Sequence, residues 1–343
     1  MSSRLEIDAS FEATVRGLLY RQFTKPKPLA ANIRLTGETA IVTGSNVGLG
    51  FEACRQLLGC GLPQLIMGVR SQARGDAAAN RLLQEFPDAS ISIWVLDMES
   101  YNSVQSFAKQ CGTLERTDIV ILNAGLMKSS YATAAGTGHE VTMQVNYLST
   151  ALLTFLLLPI LKSKKAIQAD RPPVLSIVGS DLAYTAELET KGPVLEQLDT
   201  SRGFSEFGWY AKSKLLLVFF VTRLAELVSP SDVLINVVNP GATKGTALGR
   251  EFPLLFRKAF QALQFFLART LEDGASTYLD AVLTRDADSH GSFISDWAIK
   301  PYPKIWYTPE GRELDLRLWE ETLEELEFSG ARQILEGMRG VES

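Results

Sequence analysis

Tyr210 and Lys214 are the reactive pair from which the chemistry of this sequence can be argued. They lie four residues apart in Trp209–Val228, a segment with helical patterning, so they share one helix face about 6 Å apart in rise. A free phenol has a pKa near 10, and lowering it by about three units requires roughly 4 kcal/mol. A lysine ammonium about 4 Å away supplies that order of energy at an effective dielectric constant near 20. The pair therefore predicts a tyrosine that exchanges a proton with a bound substrate.

Two predicted turns place further polar groups near such a tyrosine. The predicted strand Val174–Val178 is followed by Gly179 and Ser180, and the predicted strand Val233–Val238 is followed by Asn239–Gly241. In open α/β sheets, ligands bind at the carboxyl ends of the strands. We therefore expect the serine hydroxyl to be presented at a ligand-binding edge, where it can polarise a reacting oxygen.

A glycine-rich turn follows the first predicted strand, Thr39–Thr43. Its sequence is Gly44-Ser45-Asn46-Val47-Gly48-Leu49-Gly50, and a helical pattern begins immediately after it. Glycines let the backbone approach a pyrophosphate, and the helix N-terminus supplies free N–H groups and partial positive charge. We therefore predict that this turn binds a dinucleotide.

The chain that carries these motifs alternates short apolar segments with longer helical patterns. Segments that are apolar at nearly every position are typical of parallel strands covered by helices on both faces. We therefore predict an α/β fold, a single doubly wound Rossmann domain with a parallel sheet. The predicted strands are Thr39–Thr43, Gln64–Val69, Ile91–Leu96, Asp118–Leu122, Val174–Val178 and Val233–Val238. The predicted parts are an N-terminal helical arm (1–37), the dinucleotide-binding Rossmann domain (38–300, with a substrate lid at about 244–270) and a C-terminal extension with a helix (301–343).

The N-terminal arm has its own amphipathic pattern. Within Leu5–Phe23, the apolar residues Phe11, Val15, Leu18 and Leu19 recur near helical spacing, and prolines follow. We predict one helix whose apolar side covers an exposed edge of the core. An amphipathic membrane tether is the alternative interpretation.

The motifs together resemble the short-chain dehydrogenase/reductase family. The turn that starts at Thr43 has the family's Thr-Gly-x3-Gly-x-Gly spacing, and Asn123-Ala124-Gly125 matches its Asn-Ala-Gly element after the fourth strand. The segment Gln144–Ser149 matches the one that carries a helix-kinking catalytic asparagine, here Asn146. Matches extend from about Glu38 to the C-terminus, and the tail is similar to the retinol dehydrogenase-like and fungal short-chain reductases.

The resemblance implies roles for individual residues. Tyr210 would be the general acid, Ser180 would hold the substrate oxygen, and Lys214 would tune the tyrosine and bind the nicotinamide ribose. Asn146 would support a proton-relay water. The family's Pro-Gly-x3-Thr element has its second threonine one residue late here, so Thr246 is an alternative to Thr243 at the nicotinamide end. The other implied cofactor contacts are Gly44, Ser45, Asn46, Gly48, Leu49 and Gly50 in the turn, Asp97 and Met98 at the adenine, and Asn123, Ala124, Gly125, Pro240, Gly241 and Thr243.

Arg70 follows the second predicted strand and bears on the choice of cofactor. An acidic residue at this place accepts hydrogen bonds from the adenosine ribose of NAD, whereas a guanidinium is a planar, bidentate partner for a 2′-phosphate. We therefore predict NADP(H) as the cofactor. The alternative is a solvated surface arginine, since Arg74 lies nearby.

Apolar residues dominate the segment after Thr246, where the family builds its substrate lid. Such a lid suits a bulky lipophilic carbonyl or alcohol, although a helix packed on the core would have the same composition. Interleaved basic residues leave contact with a membrane surface or an anionic substrate as an alternative. The segment between Ser180 and Tyr210 is longer than usual in the family, and we expect it to enlarge one pocket wall. The apolar lid residues are Phe252, Leu254, Leu255, Phe256, Phe260, Leu263, Phe265, Phe266 and Leu267, and the basic ones are Arg250, Arg257, Lys258 and Arg269.

Composition limits the classes of partner. The chain has 343 residues, a formal net charge of −5 and no strongly basic tract, which argues against nucleic acid as a partner. Three cysteines and two histidines without ligand spacing predict no metal site and a reducing, cytoplasmic setting. The longest apolar run, Ala151–Leu161, is shorter than the roughly 20 residues that span a bilayer, so we predict a buried helix.

These observations predict an NADPH-dependent oxidoreductase that interconverts a carbonyl and an alcohol on a lipophilic small molecule. A catalytically silent dinucleotide-binding or regulatory protein is the alternative. In family members the helices that correspond to Leu148–Leu161 and Leu215–Val228 often pair across a dimer axis. Both are apolar here, so we expect a homodimer, although burial in the core would explain the same composition.

Overall fold

A central eight-stranded sheet organises the computed structural model, which describes residues 1–164, 171–246, 248 and 267–339. The strands are β1 (Thr39–Thr43), β2 (Gln64–Val69), β3 (Ser90–Val95), β4 (Ile119–Leu122), β5 (Val174–Val178), β6 (Leu234–Asn239), β7 (Phe293–Ser295) and β8 (Ala298–Lys300). Their order across the sheet is β3-β2-β1-β4-β5-β6-β7-β8. The first seven are parallel, whereas β8 pairs antiparallel with β7. The predicted parallel sheet is confirmed, but β7 and β8 are too short to leave a periodic signal in the sequence.

Helices cover both faces of the sheet. Along β1, Ala40 and Val42 belong to one apolar layer and Ile41 to the other, as the alternation of side chains in a strand requires. The helices in the described residues are α1 (Glu6–Glu12), α2 (Val15–Phe23), α3 (Gly48–Gly59), α4 (Gln72–Glu85), α5 (Tyr101–Cys111), α6 (Val141–Met143), a π-helix (Gln144–Leu148), α7 (Ser149–Ser163), α8 (Glu206–Leu227), α9 (Leu271–Leu283), α10 (Pro309–Glu325) and α11 (Ala331–Met338). Short 3₁₀ turns span Ser2–Arg4, Asp181–Thr185, Leu195–Gln197, Ala287–Ser289, Lys304–Tyr307 and Glu327–Ser329.

The predicted buried helix over Ala151–Leu161 is confirmed as part of α7. The stretch Val141–Ser163 is long and apolar enough to cross a membrane, but most of it is buried inside the fold. The C-terminal extension covers its outer side, because α11 packs on α7 and α10 packs on α8. Trp319 of α10 lies 5.9 Å from the rings of both Phe155 and Phe220. The predicted homodimer stays a prediction.

The N-terminal arm differs from its prediction in two ways. It forms two helices rather than one, because the chain turns at Thr14, whose hydroxyl caps α2 by accepting a hydrogen bond from Gly17 N. Its apolar side is also turned away from the core, since Val15 is 71% exposed. The side that is buried is polar, and it includes Arg21 and Gln22. The prediction of a buried apolar side is therefore wrong, because the edge that the arm covers presents a carboxylate and backbone groups that require polar partners.

Most of the predicted substrate lid lies outside the described residues. Leu267 is exposed. Arg269, one of the basic residues of the predicted lid, is buried and donates a hydrogen bond of 3.0 Å to the Pro240 carbonyl oxygen. The lid residues outside the described ranges are Arg250, Phe252, Leu254, Leu255, Phe256, Arg257, Lys258, Phe260, Leu263, Phe265 and Phe266.

Candidate active site

A cavity of about 400 Å³ opens at the carboxyl ends of β1, β4, β5 and β6. This is the edge at which parallel α/β sheets bind ligands. It brings together predicted residues from five separate segments of the chain. Those that line it are Gly44, Gly48, Leu49, Asn123, Ala124, Gly125, Ser180, Tyr210, Lys214, Pro240, Gly241 and Thr243, and Thr246 lines it as well.

The glycine turn is shaped by contacts that exclude larger residues. Gly44 has a φ of +64°, and a Cβ there would lie 2.9 Å from the Ala124 Cα. Gly48, with a φ of +62°, begins α3 at the cavity wall. No side chain caps the first turn of α3, whose preceding residue is Val47. The first N–H groups of this helix are therefore available to a ligand.

Asn123 braces the glycine turn from the neighbouring strand. Its side-chain Nδ2 donates hydrogen bonds of 3.0 Å to the Thr43 carbonyl oxygen and 3.2 Å to that of Gly44. Tyr278 in turn donates from its hydroxyl to the Asn123 Oδ1 over 3.1 Å. A Cβ at Gly50 would lie 2.5 Å from the Asn123 Nδ2, which explains the third glycine of the motif. The Asn-Ala-Gly element thus fixes the shape of the turn.

Ser180 and Tyr210 meet on the side of the cavity nearest β5. Ser180 ends the loop after β5 and caps the turn Asp181–Thr185, its Oγ accepting a hydrogen bond of 3.3 Å from Leu182 N. Tyr210 lies in the first turns of α8, which is capped by Ser205. Burial raises the pKa of Tyr210 to about 12, although a hydrogen bond with Ser180 opposes this shift. The tyrosine is therefore a protonated group at neutral pH.

Lys214 is held against β5 near the Tyr210 ring, and its predicted tuning of the tyrosine's pKa stays a prediction. Its Nζ donates a hydrogen bond of 2.7 Å to the Val178 carbonyl oxygen and lies 5.6 Å from the centre of the Tyr210 ring. Burial lowers the pKa of Lys214 to about 7, so its charge is only partly present at neutral pH. Burial is the largest cause of the pKa shift in both Tyr210 and Lys214.

Asn146 lies behind the cavity wall, in the π-helix that joins α6 to α7. Its Oδ1 accepts a hydrogen bond of 2.9 Å from Leu126 N, and its Nδ2 donates to the Leu126 carbonyl oxygen over 2.9 Å. Nδ2 also donates to the Ser213 Oγ over 3.0 Å. The side chain is buried and bonded on both of its polar atoms. Its predicted part in a proton relay stays a prediction.

The remaining predicted cofactor residues lie outside the cavity lining. Ser45 is fully buried, and Asn46 is partly exposed. Asp97 Oδ1 accepts a hydrogen bond of 3.0 Å from Glu99 N. Met98 is buried.

Arg70 directly follows β2. This strand is the neighbour of β1, which leads into the glycine turn. Its side chain is 55% exposed, and its Nη1 is 3.1 Å from the Glu99 Oε1. The guanidinium is thus accessible, and it already has a carboxylate partner that a phosphate would have to share or displace.

The structure adds residues that the sequence analysis misses. Leu18 of α2 lines the cavity, a contact that the prediction for the arm did not include. Asp181 also lines it, and its position directly after Ser180 was a signal in the sequence. Apolar side chains of Met127, Leu182 and Phe207 surround Tyr210, and Leu248 joins them.

The long segment between Ser180 and Tyr210 contributes to the pocket wall at its two ends, through Asp181, Leu182 and Phe207, and its predicted enlargement of that wall stays a prediction. None of residues 186–205 lines the cavity. The segment packs on α10 instead, where Val194 N donates a hydrogen bond of 2.8 Å to the Glu321 carboxylate. The additional residues of this segment thus form a surface against which the C-terminal extension packs.

Comparisons with known proteins agree with this arrangement. Residues 38–168 match the family model described as short chain dehydrogenase. The chain is 60% identical over 339 residues to the short chain dehydrogenase virL of Hypocrea virens, covering 99% of each chain. It is 44% identical over 320 residues to the short chain dehydrogenase/reductase mfmJ of Annulohypoxylon moriforme, covering 92% of each. These relatives confirm the fungal branch of the resemblance.

Solved structures support the fold. A 3-oxoacyl (acyl-carrier-protein) reductase from Agrobacterium tumefaciens, described with NADP bound, has a TM-score of 0.58 at 18% identity and covers 76% of this chain and 93% of its own. A short-chain dehydrogenase from Sphingobium yanoikuyae in complex with NADPH has a TM-score of 0.55 at 18% identity and covers 89% and 98%. Together with the curated relatives, these matches establish that the chain belongs to the short-chain dehydrogenase family of oxidoreductases.

Proposed function

We propose that the protein uses NADP(H) to interconvert a carbonyl and an alcohol on a lipophilic small molecule. The observation that carries the proposal is that Ser180 and Tyr210 line one cavity together with the glycine turn. Hydride transfer to a carbonyl requires a proton donor and a polarising group at the same oxygen, beside a dinucleotide. This cavity holds residues of all three kinds.

The turn fits the pyrophosphate of a dinucleotide. A Cβ at Gly44 would collide with the Ala124 backbone, and the uncapped N-terminus of α3 faces the cavity through Gly48. Arg70 is the group suited to a 2′-phosphate, which favours NADP(H) over NAD(H). The structural relatives described as NADP or NADPH complexes support the same choice.

The chain's own side chains divide the work in the reduction. When bound, NADPH supplies the hydride that reduces the carbonyl carbon. Ser180 donates a hydrogen bond to the carbonyl oxygen and so stabilises the negative charge that develops there. Tyr210, protonated because its pKa is about 12, gives its proton to that oxygen. Lys214 holds the helix that carries the tyrosine against β5.

The lining around this pair favours an apolar substrate. Met127, Leu182 and Phe207 pack beside Tyr210, and Leu18 closes part of the wall from the N-terminal arm. Such a lining rewards burial of apolar substrate surface, while the serine and tyrosine recognise a single oxygen. We therefore propose a ketone or aldehyde whose carbonyl is its main polar group in the cavity.

The test uses purified full-length protein with NADPH and a panel of lipophilic ketones and aldehydes, followed by loss of NADPH absorbance. Tyr210→Phe is expected to lower turnover by about 100-fold or more, because it removes the proton donor. Tyr131→Phe is the matched control, since Tyr131 does not line the cavity. The dissociation constant for NADPH should be similar in all three proteins.

Wild-type turnover that survives Tyr210→Phe unchanged would remove this tyrosine from its proposed role. Tight NADPH binding without turnover on any substrate would favour a silent dinucleotide-binding protein instead. Tighter binding of NADH than of NADPH would contradict the choice of cofactor.

A further inference from the structure

We propose that α2 of the N-terminal arm is part of the active site, and that Arg21 positions Ser180 through Asp181. The inference rests on the proposed function, in which Ser180 holds the substrate oxygen. It assigns a role in catalysis to a residue that precedes the dinucleotide turn in the chain and never touches the substrate.

Arg21 is bound in the interior by the turn that follows Ser180. The residue is 1% exposed, and its Nε donates a hydrogen bond of 3.0 Å to the Asp181 Oδ1. Its guanidinium also lies over the ring of Tyr184, 4.8 Å from the ring centre. Asp181 and Tyr184 belong to the same 3₁₀ turn, so the Arg21 side chain contacts that turn at two residues.

The contact between Arg21 and Asp181 affects the position of Ser180, because Asp181 is the next residue in the chain. Ser180 caps the turn through its Oγ, and Asp181 N donates a hydrogen bond of 3.2 Å to the Asn239 Oδ1. The orientation of the serine hydroxyl therefore depends on where the turn lies relative to β5 and β6. The Asp181 Oδ2 is buried with no hydrogen-bond partner in the part of the chain that the structure describes. The buried carboxylate therefore depends on the hydrogen bond that Arg21 donates to its Oδ1.

The next residue of α2 holds the second loop of the cavity. Gln22 pairs with Ala242 in both directions, donating from Nε2 to the carbonyl oxygen over 2.8 Å and accepting at Oε1 from the amide over 2.9 Å. Ala242 lies between Gly241 and Thr243, which line the cavity. Residues 21 and 22 thus fix the loops after β5 and β6 relative to each other.

Three cations and three carboxylates cluster around Arg21 in the described residues, because Arg269 also interacts with Asp181 and Asp296. Arg21 also pairs with Glu12 of α1. Lys300 lies 3.3 Å from the Glu12 carboxylate and 3.1 Å from that of Asp296. Removing the charge of Arg21 would leave two buried carboxylates without their main partner, and the turn that carries Asp181 is then free to shift.

The arrangement explains why the arm's polar side faces inward. A helix that only covered the core would bury its apolar side chains, yet here Arg21 and Gln22 are buried while Val15 is exposed. Burying these polar side chains is favourable only because the two cavity loops satisfy them. The arm is therefore fitted to the catalytic loops.

The experiment compares Arg21→Gln with Arg16→Gln, which removes an exposed arginine from the same helix. Arg21→Gln is expected to lower kcat for a ketone at least 10-fold, while KM for NADPH changes less than 3-fold. Arg21→Lys should recover part of the loss, because it restores the positive charge without the planar fork. Activity is expressed per NADPH-binding site, so that unfolded protein does not count.

Hydrogen–deuterium exchange supplies a measurement that does not depend on turnover. Arg21→Gln should increase exchange in residues 181–185 and 241–243, whereas Arg16→Gln should leave both segments as in the wild type. The Arg21→Gln, Asp181→Asn double variant should be no slower than the poorer single variant, because both substitutions break the same contact. Should Arg21→Gln fail to fold, Arg21→Lys and Asp181→Asn carry the same comparisons.

An Arg21→Gln variant with wild-type kcat per binding site and unchanged exchange would overturn the inference while leaving the proposed function intact. A uniform loss of stability with unchanged kcat would show a purely structural arm. A wild type without turnover would contradict the proposed function alone, and the exchange data would still decide whether Arg21 holds the serine turn.

Discussion

The Lys214 ammonium donates a hydrogen bond of 2.7 Å to the carbonyl oxygen of Val178. Val178 is the last residue of β5 and lies two positions before Ser180, whereas Lys214 follows Tyr210 by one helical turn. The bond therefore ties the helix that carries the tyrosine to the strand that carries the serine. It also places an amine where burial lowers its pKa to about 7.

Lys214→Met should make stability less sensitive to pH. A lysine in the unfolded chain has a pKa near 10.4, so between about pH 7 and 10 the unfolded state binds more protons than the folded state, and this group makes wild-type stability rise with pH. The free energy of unfolding of the variant, relative to that of the wild type, should therefore increase by about 3 kcal/mol as pH falls from 9.5 to 7. Urea unfolding at both pH values measures the difference.

Lys109→Met, at an exposed lysine, is the control for that series and should show little change with pH. A Lys214→Met variant whose stability relative to the wild type is the same at both pH values would contradict the depressed pKa. Its turnover should be strongly reduced in either case, because the tie between α8 and β5 is lost.

Arg70→Asp should shift the preference from NADPH to NADH. The substitution removes the planar cation proposed for the 2′-phosphate and puts a second carboxylate near Glu99, which now lies 3.1 Å from the Arg70 Nη1. A charge-assisted contact of this kind contributes about 1.5–3 kcal/mol, so the NADPH dissociation constant should rise roughly 10- to 100-fold. Fluorescence titration with both cofactors measures it.

Arg74→Asp is the matched control, because it makes the same change of charge at an exposed arginine four positions along the chain. Equal losses of NADPH affinity in the two variants would show a general effect of surface charge rather than recognition by Arg70.

Gly44→Ala should disable the dinucleotide site. The added Cβ would lie 2.9 Å from the Ala124 Cα, and the residue would keep a φ of +64° that alanine adopts at a cost of about 1–2 kcal/mol. Because the contact is with backbone, the turn must move, and NADPH binding should weaken strongly. Gly59→Ala is the control at the other end of α3, where no atom lies within 4 Å, and it should leave binding unchanged.

The two ion pairs of His139 predict that the protein loses stability at alkaline pH. Its Nδ1 lies 2.6 Å from the Asp199 Oδ2 and its Nε2 lies 3.1 Å from the Glu325 Oε1. Burial alone lowers the pKa of the imidazole, but hydrogen bonds and the charges of these carboxylates outweigh it and raise the pKa to about 9. The stability that this group contributes is complete below about pH 6.5 and is lost as the pH rises through 9.

His139→Asn should therefore destabilise the protein more at pH 6 than at pH 9.5, by about 2–3 kcal/mol, in urea unfolding. Glu325→Gln should show the same trend, and Glu324→Gln, at the exposed neighbouring position, should not. An equal effect of His139→Asn at both pH values would mean that the imidazole is uncharged in the folded protein.

The amino-acid sequence determined the parts of this protein that depend on neighbours along the chain. The glycine turn at Gly44 and the shared helix face of Tyr210 and Lys214 follow from spacing within a few residues. The positions of strands β1 to β6 along the chain follow from apolar segments separated by helical patterns. Local sterics and side-chain periodicity set these features, so they can be identified without knowing what packs against them.

The tertiary structure alone decided which side of the arm is buried, what Arg21 contacts and how Tyr210 and Lys214 titrate. Arg21 and Asp181 are 160 positions apart, and no local pattern indicates that they pair. The amphipathic pattern of α2 predicts the opposite orientation, because it contains no information on the polar surface that the helix meets. The pKa values of Tyr210 and Lys214 depend on how much water is excluded around them, and that is a property of the assembled fold.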